Sequence, residues 1–184
     1  MSNHAIICTR EEPFTETLTN LVSFYESAGY TPHITVGGDS IFTAYKNALD
    51  KIKPSNNDII VFCHDDIEIL LQPNQFKTLL ETNLAGSKAG FVGPAGAAYL
   101  SEDAIWWNKE IWGKGGLGGT ILHGKSLNDC YTTFFGPFRH VAVLDGVFLA
   151  AKGKMLKKLD FTKPAYFDGE WDLYDIFITN QARE

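Results

Sequence analysis

One short stretch, residues 58–70, constrains the fold of this chain more than any other. Its first part, residues 59–63, is an apolar block rich in β-branched and aromatic side chains. The block is short enough for a buried strand and too short for an ordinary helix. It ends abruptly in His64, Asp65 and Asp66, with Glu68 two residues further on. Acidic groups at the carboxyl end of a buried strand are typical of an open α/β sheet, whose ligand crevice lies outside the strand ends.

Alternation along an extended segment predicts that His64, Asp66 and Glu68 share one face and that Asp65 points to the other. Hard oxygen ligands of this kind suit Mg²⁺ or Mn²⁺, and these ions in turn suit phosphate oxygens. The pattern therefore favours a metal and phosphate site. The alternative is an ordinary polar turn after a core strand.

The first half of the chain alternates between strand and helix patterns. Apolar spacing predicts the first helix, and Ser40 is the expected N-cap of the second. This order predicts an α/β fold with a mostly parallel, doubly wound central sheet, flanked by helices and joined by right-handed crossovers. The predicted strands are 5–9, 33–36, 59–63 and 89–92, and the predicted helices are 14–28, 41–52 and 73–84.

The second half begins with an irregular segment rich in glycine and aromatic residues, near 93–138, with no clean period. Within it, residues 113–119 resemble a mobile lid more than a phosphate loop, because the GxxxxGK[ST] spacing is absent. Further on, the patterns predict a strand at 141–144, an apolar run at 147–151 and a short helix at 155–159. Without repeats or a low-complexity linker, we predict one domain with a nucleotide-binding half (1–92) and an acceptor and catalytic half (93–184).

The composition of the 184 residues narrows the class of protein. A hydrophobic fraction of 45% with 21% charged residues argues against disorder, and a net charge of −6 argues against non-specific nucleic-acid binding. Cys8 and Cys63 lie in apolar runs and are expected to be buried, and with Cys130 they form no zinc-binding pattern. No signal peptide or membrane span is evident, so a cytoplasmic protein is expected. The oligomeric state is not indicated.

Six blocks in order resemble the GT-A glycosyltransferases, specifically family-two enzymes of the streptomycin-biosynthesis type. Their order and spacing match over nearly the whole chain. The blocks are VFCHDDIEI at 61–69, GFVGPAG at 90–96, WW at 106–107, LHGK at 122–125, VLDGVFLAAKGKML at 143–156 and LYDIFITNQA at 173–182.

The resemblance implies a single Rossmann-like GT-A domain that transfers a hexose with inversion. The implied donor is a nucleotide diphosphate sugar, expected to be a UDP-sugar, and the acceptor is an unidentified glycan or small molecule. His64, Asp65 and Asp66 fall on the Asp-x-Asp motif of the family, with His64 in place of its first Asp. Asp66 is then a ligand of Mn²⁺ or Mg²⁺, and Asp65 lies beside the ribose or donor sugar. Glu68, a water or the nucleotide completes the metal shell.

Further donor contacts follow from the same resemblance. Thr9 and Glu11 occupy the position that contacts base and ribose, and Asp39 is the candidate for reading uracil. Asp145 and Gly146 match the strand end beside the donor sugar. In the second helix, Tyr45 and Asn47 either contact the nucleotide or pack the helix.

Acceptor and catalytic residues are expected in the second half. Trp106 and Trp107 offer aromatic faces for a sugar ring, although adjacent residues cannot share one face, so at least one belongs to the core. Asp175 is the candidate general base, with Asp172 and Glu170 as alternatives. These acids, with Asp168, also fit an ordinary acidic helix N-terminus.

A second cation near the diphosphate is a remaining expectation, with four candidates: Lys114, Lys125, Arg139 and His140. Two other functions stay open. One is a nucleotide-sugar hydrolase or nucleotidyltransferase, and the glycine-free loop CTREEPF argues against the second of these. The other is a degenerate domain that binds a sugar or nucleotide without turnover.

Overall fold

Strands and helices alternate through the first half of the chain, and strands predominate in the second. The computed structural model describes residues 2–10, 12–36, 39–86, 89–126 and 128–182. The elements are β1 (Asn3–Thr9), α1 (Glu16–Ser27), β2 (Tyr30–Val36), α2 (Ile41–Ile52), β3 (Ile59–His64), α3 (Pro73–Leu84), β4 (Phe91–Val92), β5 (Ala95–Ala97), α4 (Lys109–Gly113), β6 (Leu117–Ser126), β7 (Asp129–Gly136), β8 (Val143–Leu144), β9 (Phe148–Lys152), α5 (Gly153–Leu156) and α6 (Tyr174–Gln181).

The first sheet has five strands in the order β2-β1-β3-β9-β4. β1 pairs in parallel with β2 and with β3, as the alternating pattern predicts. The difference is β9, which lies antiparallel between β3 and β4 and places Ala150 opposite Val61. The apolar run near 147–151 can fill this central position because its residues are buried on both faces of the sheet. The predicted halves of the chain therefore interlock in one sheet.

The helices of the first half lie close to their predicted positions. Ser40 accepts a hydrogen bond from the amide of Thr43 and caps α2, whose bounds match the prediction. α3 also matches, with Pro73 at its start. α1 begins later than expected, because Thr15 caps it by accepting from the amide of Leu18.

The prediction of an irregular segment near 93–138 is wrong. β6 and β7 form a long antiparallel hairpin, and β5 and β8 extend it into a second sheet in the order β7-β6-β5-β8. Glycines obscure the strand pattern in the sequence: Gly119 has a φ of 105°, and a Cβ there would collide with the carbonyl oxygen of Pro94. Leu117–Gly119 pair with β5, so the proposed lid at 113–119 is partly built into this sheet.

Three apolar clusters form the core, two against the faces of the first sheet and one against the second. α6 joins two of them, since Tyr174 and Ile178 belong to the first cluster and Ile176 to the third. Thr179 also ties α6 to β8, because its hydroxyl accepts from the buried amide of Leu144. α6 is thereby held where the two sheets meet.

Cys8 and Cys63 are expected from the sequence to be buried. Cys8 and Cys63 are buried, as predicted, and Cys130 is exposed. In the part of the chain that the structure describes, none of the helices combines the length and the apolar character that crossing a bilayer requires.

Candidate active site

The carboxyl end of β3 brings its polar residues to one edge of the first sheet. His64 is the last residue of the strand and donates its amide to the carbonyl of Val147, 3.3 Å away. The chain bends at Asp65 and Asp66, and from there exposed and partly buried residues alternate. Asp66 and Glu68 face solvent, whereas Ile67 and Ile69 pack against the second apolar cluster.

His64 and Asp66 remain close despite the bend. The Nδ1 atom of His64 lies 4.0 Å from Oδ1 of Asp66, and the two side chains are 42% and 82% exposed. Among the described residues, however, no three His, Cys, Asp or Glu side chains are grouped closely enough to hold a metal ion. The expected set of His64, Asp66 and Glu68 is therefore not assembled, and only its first two members are paired.

A second connection links His64 to the start of α6. Its Nε2 atom lies 3.0 Å from the hydroxyl of Tyr174, and that hydroxyl donates to the carbonyl oxygen of Gly146 at 2.8 Å. Tyr174 is buried against Tyr45, with the two rings edge to face at 5.7 Å. Sequence reasoning missed this role, and a tyrosine directly before the candidate base was the available signal.

Asp175 holds the amide of the same glycine. Its Oδ2 accepts from the amide of Gly146 at 2.8 Å, and its Oδ1 accepts from the amide of Ile176 at 2.8 Å. Burial, with a smaller contribution from the nearby Asp145 carboxylate, raises the pKa of Asp175 to about 6, although the two amide hydrogen bonds oppose the rise. The carboxylate is thus oriented by the backbone and destabilised by its surroundings, which is the usual setting of a general base near neutral pH.

Gly146 has no room for a side chain in this arrangement. A Cβ there would overlap the Tyr174 hydroxyl and would lie 2.9 Å from Cβ of Asp175. Beside it, Asp145 accepts from the amide of Val147 at 2.8 Å and so closes its own turn. The predicted pair Asp145 and Gly146 therefore lies directly against Asp175 and Tyr174.

The other acidic candidates lie outside this cluster of contacts. Glu170 forms an ion pair with Lys163 at 2.6 Å, and its carbonyl accepts from the amide of Ile41 at 3.1 Å. Asp172 is exposed. Among the described contacts, Asp175 is the acid of this segment that touches Gly146.

The predicted nucleotide contacts occupy varied environments. Thr9 is buried at the end of β1, and Asp39 is exposed just before the cap of α2. Glu11 lies outside the described residues. Between Thr9 and Glu11, the guanidinium of Arg10 lies 5.4 Å from the ring centre of Trp171, so the exit of β1 contacts the segment before α6.

The two candidate residues of α2, Tyr45 and Asn47, lie in different environments. The sequence predicts that each either contacts the nucleotide or packs the helix. Tyr45 is fully buried and packs against Phe62, with tilted rings whose centres are 4.7 Å apart, so it packs the helix. Asn47 is exposed on α2 and faces a cavity of about 380 Å³ that His33 and Thr35 of β2 also line.

The two adjacent tryptophans differ as expected. Trp106 is only 2% exposed and packs against Phe135 in the third apolar cluster, so its predicted role in stacking on a sugar is wrong. Trp107 is 54% exposed, with its ring edge to face against that of Trp106, so much of it is accessible. The two residues are adjacent in sequence, but only the ring of Trp106 lies in the core.

Two of the four candidate cations are engaged elsewhere. Lys114 pairs with Glu110 of α4, one helical turn away. Arg139 donates to the carbonyl of Gly115 at 2.6 Å and so braces the turn before β6. Lys125 and His140 are exposed.

The chain forms an α/β domain with acidic groups at the carboxyl end of a central strand, which is the edge at which open α/β sheets bind their ligands. The sequence model of a glycosyltransferase-like family matches residues 5–183. The chain belongs to this family. Membership supports glycosyl transfer from a nucleotide-sugar donor to an acceptor.

Solved structures support the fold independently. The crystal structure described as "A197 from STIV" is similar with a TM-score of 0.52 and 15% sequence identity, over 100% of this chain and 78% of that one. At that identity the similarity concerns the fold. No curated protein sequence is significantly similar to the chain.

Proposed function

We propose that this protein transfers a hexose, with inversion, from a UDP-sugar to a hydroxyl group of an acceptor. One observation carries the proposal: Tyr174 and Asp175 both hydrogen-bond to Gly146. Because Tyr174 also contacts His64, these bonds bring a buried carboxylate to the edge where β3 ends. In this family of enzymes that edge is where donor and acceptor are expected to meet.

Asp175 is the proposed general base. Direct displacement at the anomeric carbon needs a group that removes the acceptor proton on the side opposite the leaving diphosphate. With a pKa of about 6, Asp175 is ionised near neutral pH and still basic enough to take up a proton. Its two amide hydrogen bonds hold the carboxylate in one orientation while each oxygen keeps a lone pair for the acceptor.

Asp66, with His64, is the proposed holder of Mn²⁺ or Mg²⁺. Both side chains are accessible and their polar atoms face each other, so they fit a partial coordination shell that substrate phosphates would complete. A bound divalent ion would offset the negative charge of the diphosphate. Asp65 and Thr9 lie at the same edge, and we assign them to the ribose and base of the donor.

Calorimetric titration tests the donor site. We expect UDP to bind in the presence of Mn²⁺, more weakly with EDTA, and GDP to bind less well than UDP. Asp66→Ala should abolish the metal-dependent part, whereas Asp50→Ala, which removes an exposed carboxylate on α2, should not. If neither UDP nor GDP binds, the proposal is contradicted.

A second variant separates binding from chemistry. Asp175→Asn removes the base but not the proposed metal ligands, so nucleotide binding should persist while sugar transfer is lost. Full transfer activity in Asp175→Asn would exclude Asp175 as the base.

A further inference from the structure

The hydrogen bonds around Tyr174 determine which nitrogen of His64 carries its proton. A tyrosine hydroxyl has one proton, and that of Tyr174 is donated to the buried carbonyl of Gly146. The same hydroxyl oxygen lies 3.0 Å from Nε2 of His64. For this contact to be a hydrogen bond, Nε2 must be the donor.

The reverse arrangement is disfavoured by the buried peptide. If the Tyr174 hydroxyl turned to donate to His64, the carbonyl of Gly146 would lose the donor that satisfies it inside the protein. Unpaired buried carbonyls are rare because they lose their hydrogen bond to water without replacement. The amide of Val147, which shares a peptide plane with that carbonyl, donates to Asp145 at 2.8 Å, so the peptide cannot simply rotate to find another donor.

The remaining ring nitrogen then has a defined character. In the neutral imidazole with a proton on Nε2, Nδ1 carries a lone pair. This Nδ1 is the atom that faces Oδ1 of Asp66, 4.0 Å away, on the solvent side of the strand end. The lone pair on Nδ1 of His64 and the carboxylate of Asp66 are therefore both accessible from the same side of the strand end.

We infer that Tyr174 is a positioning residue that holds His64 as the Nε2–H tautomer, so that Nδ1 and Asp66 form a mixed nitrogen and oxygen site. Imidazole nitrogen suits Mn²⁺ and later transition ions better than Mg²⁺, which prefers oxygen ligands. The site should therefore favour Mn²⁺ over Mg²⁺ more strongly than a site with aspartate at position 64. The inference rests on the divalent ion of the proposed function.

The tautomer can be tested without any metal. Nitrogen-15 NMR of the histidine rings distinguishes Nε2–H from Nδ1–H, and loss of signals in His64→Gln assigns His64 among the five histidines. At a pH where imidazoles are neutral, we expect Nε2–H for His64 in the unmodified protein. An Nδ1–H tautomer would overturn the inference, and this spectrum does not depend on the folding of any Tyr174 variant.

Substitution tests the role of the hydroxyl. Tyr174→Phe should mix the two tautomers of His64 and weaken Mn²⁺ binding in the presence of UDP by about tenfold, as loss of a residue that orients a ligand commonly does. Tyr30→Phe is the matched control, because it also removes a buried tyrosine hydroxyl, one without a hydrogen-bond partner among the described residues. An unchanged tautomer in a folded Tyr174→Phe protein would overturn the positioning role.

Paramagnetic resonance of Mn²⁺, with Mg²⁺ as competitor, tests the nitrogen ligand. His64→Asp should reduce the preference for Mn²⁺ over Mg²⁺. If Mn²⁺ binds and the preference is unchanged, the nitrogen ligand is excluded while the metal of the proposed function stands. If no Mn²⁺ binds with UDP present, both the mixed site and the metal of the proposed function are excluded.

Discussion

The hydroxyl of Tyr174 donates to the carbonyl oxygen of Gly146 at 2.8 Å, across 28 residues of sequence. The next residue, Asp175, accepts from the amide of the same glycine. Two consecutive side chains at the start of α6 thus hold both polar groups of one residue in the turn before β9. The relationship sets the position of the candidate base and predicts how sensitive the turn is to substitution.

Gly146→Ala should disrupt this arrangement. Its Cβ would overlap the Tyr174 hydroxyl and crowd Asp175, so the start of α6 must shift. We expect a loss of about 1–3 kcal/mol in the free energy of unfolding, typical of overpacking, together with loss of transfer activity. Urea denaturation measures the first effect. Gly113→Ala is the control, since nothing lies within 4 Å of a Cβ there, and equal losses in both variants would contradict the steric argument.

The pH dependence of activity should follow Asp175. With a pKa of about 6, the carboxylate gains its negative charge as the pH rises, so transfer should increase through that range. The charge of Asp145 contributes to the raised pKa, and Asp145→Asn should therefore move the rising limb of kcat/KM to lower pH. A profile whose midpoint does not change in Asp145→Asn would argue against Asp175 as the titrating group.

The same shift has a consequence for stability. Because the folded protein binds the Asp175 proton more tightly than the unfolded chain does, this group stabilises the fold fully below the ordinary carboxyl pKa. That contribution is lost as the pH rises to about 6. Chemical denaturation at several pH values should show this decrease, and Asp175→Asn should show less of it.

One buried hydroxyl links α6 to the backbone of β8. Thr179 accepts from the buried amide of Leu144, and its own proton goes to the carbonyl of Asp175 at 2.6 Å. Thr179→Val keeps the shape but leaves that amide unpaired, and should cost about 1–3 kcal/mol of unfolding free energy. Thr78→Val on the exposed face of α3 should change it by less than about 0.5 kcal/mol. Thermal or urea unfolding compares the two.

The paired tryptophans should separate stability from binding. Trp106→Ala empties a core position and should cost about 3–5 kcal/mol of unfolding free energy. Trp107→Ala removes an exposed ring and should leave stability within about 0.5 kcal/mol of the original. If Trp107 stacks on the acceptor, its loss should raise the KM for acceptor without changing nucleotide binding, whereas an unchanged KM would exclude that role.

Local signals account for the parts of the fold that the sequence predicts well. Ser40 before α2 and Pro73 at the start of α3 act within one helical turn, so the sequence alone places these elements. The strand that ends in His64 is similarly evident, because a continuous apolar block needs burial on both faces. Recognition of the family rests on the order of such blocks.

Contacts between segments distant in sequence decided the remaining strand order and the arrangement of the site. The place of β9 between β3 and β4, and the pairing of glycine-rich β6 and β7, depend on strands that no local pattern names. The chain itself determined that acidic residues follow a buried strand and that further acids cluster near the start of a late helix. Only the tertiary structure decided that His64, Tyr174, Gly146 and Asp175 form one connected unit. The physical reason is that burial and hydrogen bonding between remote segments set the orientation and pKa of a side chain, and neither is encoded in its neighbours along the chain.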